Sequence, residues 1–158
     1  MTSRTPGLSL AALAVLVLSA CSVVGGADDS PPVTGGTIEL AVSETCTDVS
    51  DPQCVSVDGE HVVLPPAFER AGVEDAAVAE GEGRNAVDVT FSEDGEAVFH
   101  ALTKKAARAG GSARLVIKIG GEMKAAVAVM QALEGDHLQI VLAPDDSARE
   151  VVDLIHGG

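Results

Sequence analysis

The chain has 158 residues, 46% of them hydrophobic but only 2% aromatic, with no Trp or Tyr and three Phe, which is material for one small domain. Ten Lys and Arg against 24 Asp and Glu leave a net charge of −14, a field that repels phosphate backbones. With no basic patch, and without the aromatics on which bases stack, the composition argues against nucleic-acid binding.

The first twenty residues read as a leader. A polar stretch carrying Arg4 precedes an uncharged apolar run from Leu8 to Leu18, followed by Ser19-Ala20-Cys21. A lasting membrane span needs about 20 residues of helix, so this shorter run has the size of a signal-peptide core. Leu18-Ser19-Ala20-Cys21 resembles the lipobox of bacterial lipoproteins. The resemblance implies that the Cys21 thiol takes a diacylglyceryl group, that cleavage falls between Ala20 and Cys21, and that the mature protein is lipid-anchored on the extracytoplasmic side of the cell membrane. Two acyl chains, at about 0.8 kcal/mol per buried methylene, hold stably where one holds reversibly.

From Ser22 to Gly36 the sequence SVVGGADDSPPVTGG has no apolar period, and residues 21–36 read as a flexible tether. Adjacent Asp28 and Asp29 there cannot supply the six to eight oxygens that calcium takes. With Cys21 assigned to the anchor, Cys46 and Cys54 remain, separated by the turn-rich TDVSDPQ. In an exported chain that spacing favours a structural disulfide over free thiols. Closing so short a ring stabilises by about 2.5 kcal/mol when the geometry is unstrained.

The domain is expected over residues 37–158. Thr37 to Ser43 alternates Ile38, Leu40 and Val42 with polar or small residues, and Val55 to Leu64 carries a second strand, interrupted by a turn at Asp58-Gly59. Pro65-Pro66 ends it, for want of a backbone donor. Phe68 to Arg84 is weakly patterned, with an extended segment allowed at Val73 to Val78. Ala86 to Phe91 is a clear strand, with Val87, Val89 and Phe91 on one face.

Ser92 then offers an N-cap oxygen, Glu93 and Asp94 occupy the first turn, and Lys104, Lys105 and Arg108 crowd the end before Gly110-Gly111. These are the marks of a capped, dipole-matched helix over Glu93 to Ala109. Three cations near a helix C-terminus are ordinarily partners of its dipole. Arg114 to Ile119 is a strand, and Gly120-Gly121 suits a tight hairpin. Glu122 to Leu133 is ambiguous: Ala and Met favour helix, whereas Val127-Ala128-Val129 and the preceding turn favour strand. His137 to Leu142 is another strand, and a short helix over Ala148 to Ile155 closes the pattern.

Taken together, Val87 to Gly158 resembles the head subdomain of the first periplasmic domain (P1) of the protein-export membrane protein SecD. The residues that carry it are Phe91-Ser92-Glu93-Asp94-Gly95 with Phe99 and Leu102-Thr103, Leu115-Val116-Ile117 with Gly120-Gly121-Glu122, and the Ala148 to Gly158 helix. Val62-Val63-Leu64-Pro65-Pro66 and Val73 to Ala77 add to it. The resemblance implies that Met123 to Val129 is an extended arm, although this chain has Ala126 or Ala128 where the family has Pro. It also implies a head that contacts unfolded or emerging polypeptide outside the membrane. The family's proton-driven translocation rests on membrane helices that nothing after the leader here resembles.

The expected fold is therefore α+β, a mostly antiparallel sheet with two helices packed on one face and the opposite face or an edge left for a partner. His61, His100, His137 and His156 lack the i, i+4 spacing of a metal pair, and no nucleophile elbow or phosphate loop occurs. The sequence points away from catalysis and calls for no metal and no cofactor. Its leading reading is a polypeptide- or partner-binding module, accessory to protein export. The partner surface is expected at Ala125, Val127, Val129 and Met130, where apolar residues run together. The rival reading is a structural or accessory envelope lipoprotein that joins a membrane complex and binds no client.

Overall fold

A computed structural model describes residues 35–81 and 85–158. The leader, the lipidation expected at Cys21 and the tether up to residue 34 lie outside them. The described chain is α+β. Its elements are β1 (Gly36–Glu44), β2 (Cys54–Val57), β3 (Glu60–Val63), β4 (Glu69–Val78), β5 (Ala86–Phe91), α1 (Glu93–Ala109), β6 (Ala113–Ile119), β7 (Glu122–Ala128), β8 (His137–Val141) and α2 (Ala148–His156).

Six strands form one sheet in the order β7-β6-β1-β4-β5-β8, every neighbouring pair antiparallel. β2 and β3 form a separate hairpin. Alternation sorts the side chains of the large sheet. Ile38, Leu40, Ala71, Val73, Val89, Phe91, Leu115, Ile117 and Ile140 form one buried cluster with Phe99, Leu102 and Ala106 of α1 and Val151 and Ile155 of α2. Both helices thus pack on one face. Two of the three Phe meet there, Phe91 stacking on Phe99 with ring centroids 4.9 Å apart.

Local chemistry explains why the helices start where they do. Ser92 caps α1 by accepting a hydrogen bond from Gly95 N at 3.3 Å, and Ser147 caps α2 by accepting from Glu150 N. Gly95 also sets the approach of α1 to the sheet, because a Cβ there would lie 1.9 Å from the Gly72 carbonyl oxygen. Gly36 has the same role beside α2, where a Cβ would lie 1.8 Å from the Ile155 oxygen. It is therefore a packing glycine at the start of β1, not the end of the tether.

The opposite face of the sheet corrects one expectation, because half of it is covered. The β2–β3 hairpin turns at Asp58 and Gly59, both with positive φ, and lays Val57 and Val62 on Val116 of β6 and Ala126 of β7. Val55, Phe68 and Met123 border this second, smaller core. Cys46 and Cys54 are joined, with Cα atoms 5.9 Å apart, closing the loop that leads into β2. Further ties hold the hairpin down. Ser43 Oγ donates to the Val63 oxygen, and Arg114 Nε pairs with Glu60 at 2.9 Å.

Candidate functional site

The segment that was ambiguous in sequence is strand β7, extended as the arm resemblance implied. The Gly120-Gly121 turn decides it: both residues have positive φ, so the chain reverses onto β6 and pairs with it before a helix can nucleate. One bulge interrupts the ladder next to Lys124, whose ammonium reaches Asp146 at 2.7 Å and Glu122 at 2.9 Å. Hydrogen bonds to Asp146 and then Glu122 hold the Lys124 pKa above its ordinary value against a smaller opposing effect of burial.

The expected partner surface divides in two. Ala125 (3% exposed) and Val129 (5%) point into the main core, while Val127 (41%) and Met130 (83%) face outward. Strand parity does not separate them, because Ala125 and Val127 share the helix-side face of the edge strand β7 with Ile117 and Leu115. Ala125 belongs to the main core cluster, whereas Val127, next to the end of the strand, does not.

Residues 129–136 then carry the chain from one edge of the sheet to the other, from β7 to β8. Five strand spacings amount to about 24 Å, and eight residues reach about 26 Å when nearly extended, so this strap has little slack. It is pinned halfway across α1. Leu133 N donates to Thr103 Oγ1 at 3.1 Å, and the Leu133 oxygen accepts from His100 Nδ1 at 3.0 Å. Because the carbonyl can only accept, His100 carries its proton on Nδ1 there. The histidine spacing gives no sign of this anchor at His100. Thr103, a wholly buried hydroxyl inside an amphipathic helix, was the available signal.

Beside His100 the helix carries Lys104 and Arg108 at successive i, i+4 positions, with Lys105 adjacent. All three are exposed, and among the described residues none is in an ion pair. The other basic side chains of this half of the domain are engaged: Arg114 with Glu60, Lys118 with Glu39, and Lys124 as above.

On the open face, Thr90 Oγ1 lies 3.2 Å from His137 Nδ1, and His137 Nε2 lies 3.3 Å from Asp136. A hydroxyl, an imidazole and a carboxylate in a row resemble a nucleophile, a base and its orienting acid. However, the His137 side chain is 78% exposed, so bulk water would compete with substrate there. Among the described residues no three His, Cys, Asp or Glu gather to hold a metal, and no helix is long and apolar enough to cross a membrane. A depression of about 170 Å³ beside Thr37, Arg70 and Leu154 has Lys118 already bound to Glu39. Compared with protein-family models, curated proteins and solved structures, the chain matches none.

Proposed function

We propose that this protein is a lipid-anchored extracytoplasmic lipoprotein whose domain, similar to the SecD periplasmic head, binds polypeptide or a protein partner without catalysis, in a role accessory to protein export. The observation that carries the binding reading is the pair Val127 and Met130, apolar and exposed at the edge strand β7 and the start of the strap. An edge strand offers backbone donors and acceptors to an added strand, and neighbouring apolar side chains give that strand something to bury. The Cys46–Cys54 bond supports the location, since disulfides persist where the compartment is oxidising. The lipobox motif ending at Cys21 supports the anchor.

Two experiments test this. Cys21→Ala should move the protein from the membrane to the soluble fraction with its fold intact; a variant that stays on membranes after a salt wash would remove the lipid anchor from the proposal. The full chain in non-ionic detergent, titrated with a reduced and carboxymethylated polypeptide, should bind it. Val127→Glu should abolish that binding while leaving Tm within a few degrees. No binding of unfolded chain, together with capture of one membrane partner, would favour the structural lipoprotein that binds no client.

A further inference from the structure

The charge around Val127 and Met130 says more about what docks there. The domain belongs to a chain of net charge −14 with 24 carboxylates, yet Lys104, Lys105 and Arg108 stand exposed on the last turns of α1 with no acidic partner among the described residues. A dipole at a helix end rewards cations within its last turn. Arg108 lies in that turn, but Lys104 and Lys105 lie before it, so the dipole does not account for them. The strap runs beside this stretch, because Leu133 is bonded to both His100 and Thr103. Met130 lies between that anchor and the buried Val129, and is the most exposed large apolar side chain among the described residues. Cations and apolar side chains thus share one surface, at the end of the sheet where α1 and β7 finish.

That end lies away from the point at which the chain enters the domain. β1 starts at Gly36 against the C-terminal turn of α2. It finishes beside the turn that follows α1, where Thr45 N donates to the Ser112 oxygen at 2.7 Å. The nine residues between span about 30 Å.

Resting on the binding reading above, we infer that this end docks an acidic polypeptide segment bearing large apolar side chains. Met130, Leu133 and Val127 receive the apolar groups, and Lys104, Lys105 and Arg108 receive the carboxylates. Charge complementarity of this kind guides encounter and sets specificity, and it weakens as salt rises.

The probe is a fluorescent twelve-residue peptide of alternating Glu and Leu, compared with one of alternating Lys and Leu, each titrated with the full chain in non-ionic detergent. The Glu-Leu peptide should bind at least about tenfold more tightly than the Lys-Leu peptide at physiological ionic strength, where the long-range field of the −14 charge is screened and contact charges still act. That preference should disappear in the Lys104→Glu, Lys105→Glu double variant. Met130→Ser should weaken both peptides. Amide hydrogen exchange of the unaltered chain gives a readout free of any folding defect: residues 129–133 should slow when the Glu-Leu peptide is added. Equal binding of the two peptides, or an unchanged preference in the double variant, would overturn the inference. If the carboxymethylated polypeptide still binds in that case, the binding function stands and only its acidic specificity falls; if neither it nor the peptides bind, both fall. Binding of the Cys21→Ala chain to anionic phospholipid vesicles, lost in the double variant and unaffected by peptide, would assign the surface to the membrane and overturn the polypeptide occupant.

Discussion

The two halves of the sheet face that looks away from the helices share the same pleat and opposite chemistry. Over β1, β6 and β7 the outward positions include Ala41, Ser43, Val116 and Ala126, all buried beneath or beside the β2–β3 hairpin, with half-buried Arg114 and the Lys118–Glu39 pair at its border. Over β5 and β8 the outward positions are Asp88, Thr90, His137, Gln139 and Val141, linked across the strands by contacts such as Gln139 Nε2 to Asp88 at 2.8 Å. The first half is a second core; the second is a solvated surface. The comparison teaches that the sheet itself needs one buried face only, and that the hairpin is an addition whose stability depends on a few small apolar contacts and one covalent clip.

Val62 is fully buried under the hairpin. Val62→Asp places an unpaired charge there and should destabilise by more than about 3 kcal/mol, read as a fall in the denaturant midpoint. A loss under about 1 kcal/mol would mean that the hairpin lifts off freely and that the second core is not one.

Removing the clip is next in size. The Cys46→Ser, Cys54→Ser double variant should lose about 2.5 kcal/mol, with hydrogen exchange quickening in β2 and β3 while β5 and β8 stay protected. Uniform loss of protection would show the two halves to be one cooperative unit. Finding both thiols free to alkylate in the unreduced protein would remove the clip altogether.

Lys124 sharpens the border of the covered half, lining a surface hollow with Val57 and Asp58 of the hairpin and Asp146. Its folded pKa is raised above 10.5, mainly by the hydrogen bond to Asp146 and then that to Glu122. A raised basic pKa contributes stability that is present below pH 10.5 and lost as pH rises through the folded value. The stability difference between the protein and Lys124→Met should accordingly hold through neutral pH and shrink in strong base. A difference that grows with pH would contradict the assignment. The smallest effect belongs to the open half, where Asp88→Ala should change stability by no more than about 0.5 kcal/mol, measured by the same denaturant midpoint.

Much of this was legible in the residues. Ser92, the acids after it and Gly110 placed α1 at Glu93–Ala109, as found, and Ala86–Phe91 is the strand that its alternation announced. Asp58-Gly59 marked a real turn, and the spacing of Cys46 and Cys54 marked a real bond. Less legible was the β4 region, where Glu69–Val78 is one ten-residue strand although only its second half looked extendable. A bulge between Val73 and Asp75 shifts the register, so the apolar positions Ala71, Val73 and Ala76 do not alternate. The candidate site was half legible. The run from Ala125 to Met130 was visible as apolar, but the sequence could not say that Ala125 and Val129 would be core while Val127 and Met130 would be surface.

What the sequence alone determined is local: caps, two-residue turns and the faces of regularly alternating strands such as Ala86–Phe91, because these depend on contacts within a few positions along the chain. Tertiary structure decided which strand lies beside which. β1 pairs with β4 and β6, not with the β2 that follows it, and so β7 falls on an edge and the hairpin falls across the second face. It also decided that the strap would be drawn across α1 to His100 and Thr103, beside the cations of that helix. Those outcomes come from pairing segments far apart in the chain, where burial of a whole face decides, whereas β7 is a strand despite its Ala and Met because the Gly120-Gly121 turn returns it onto the adjacent β6.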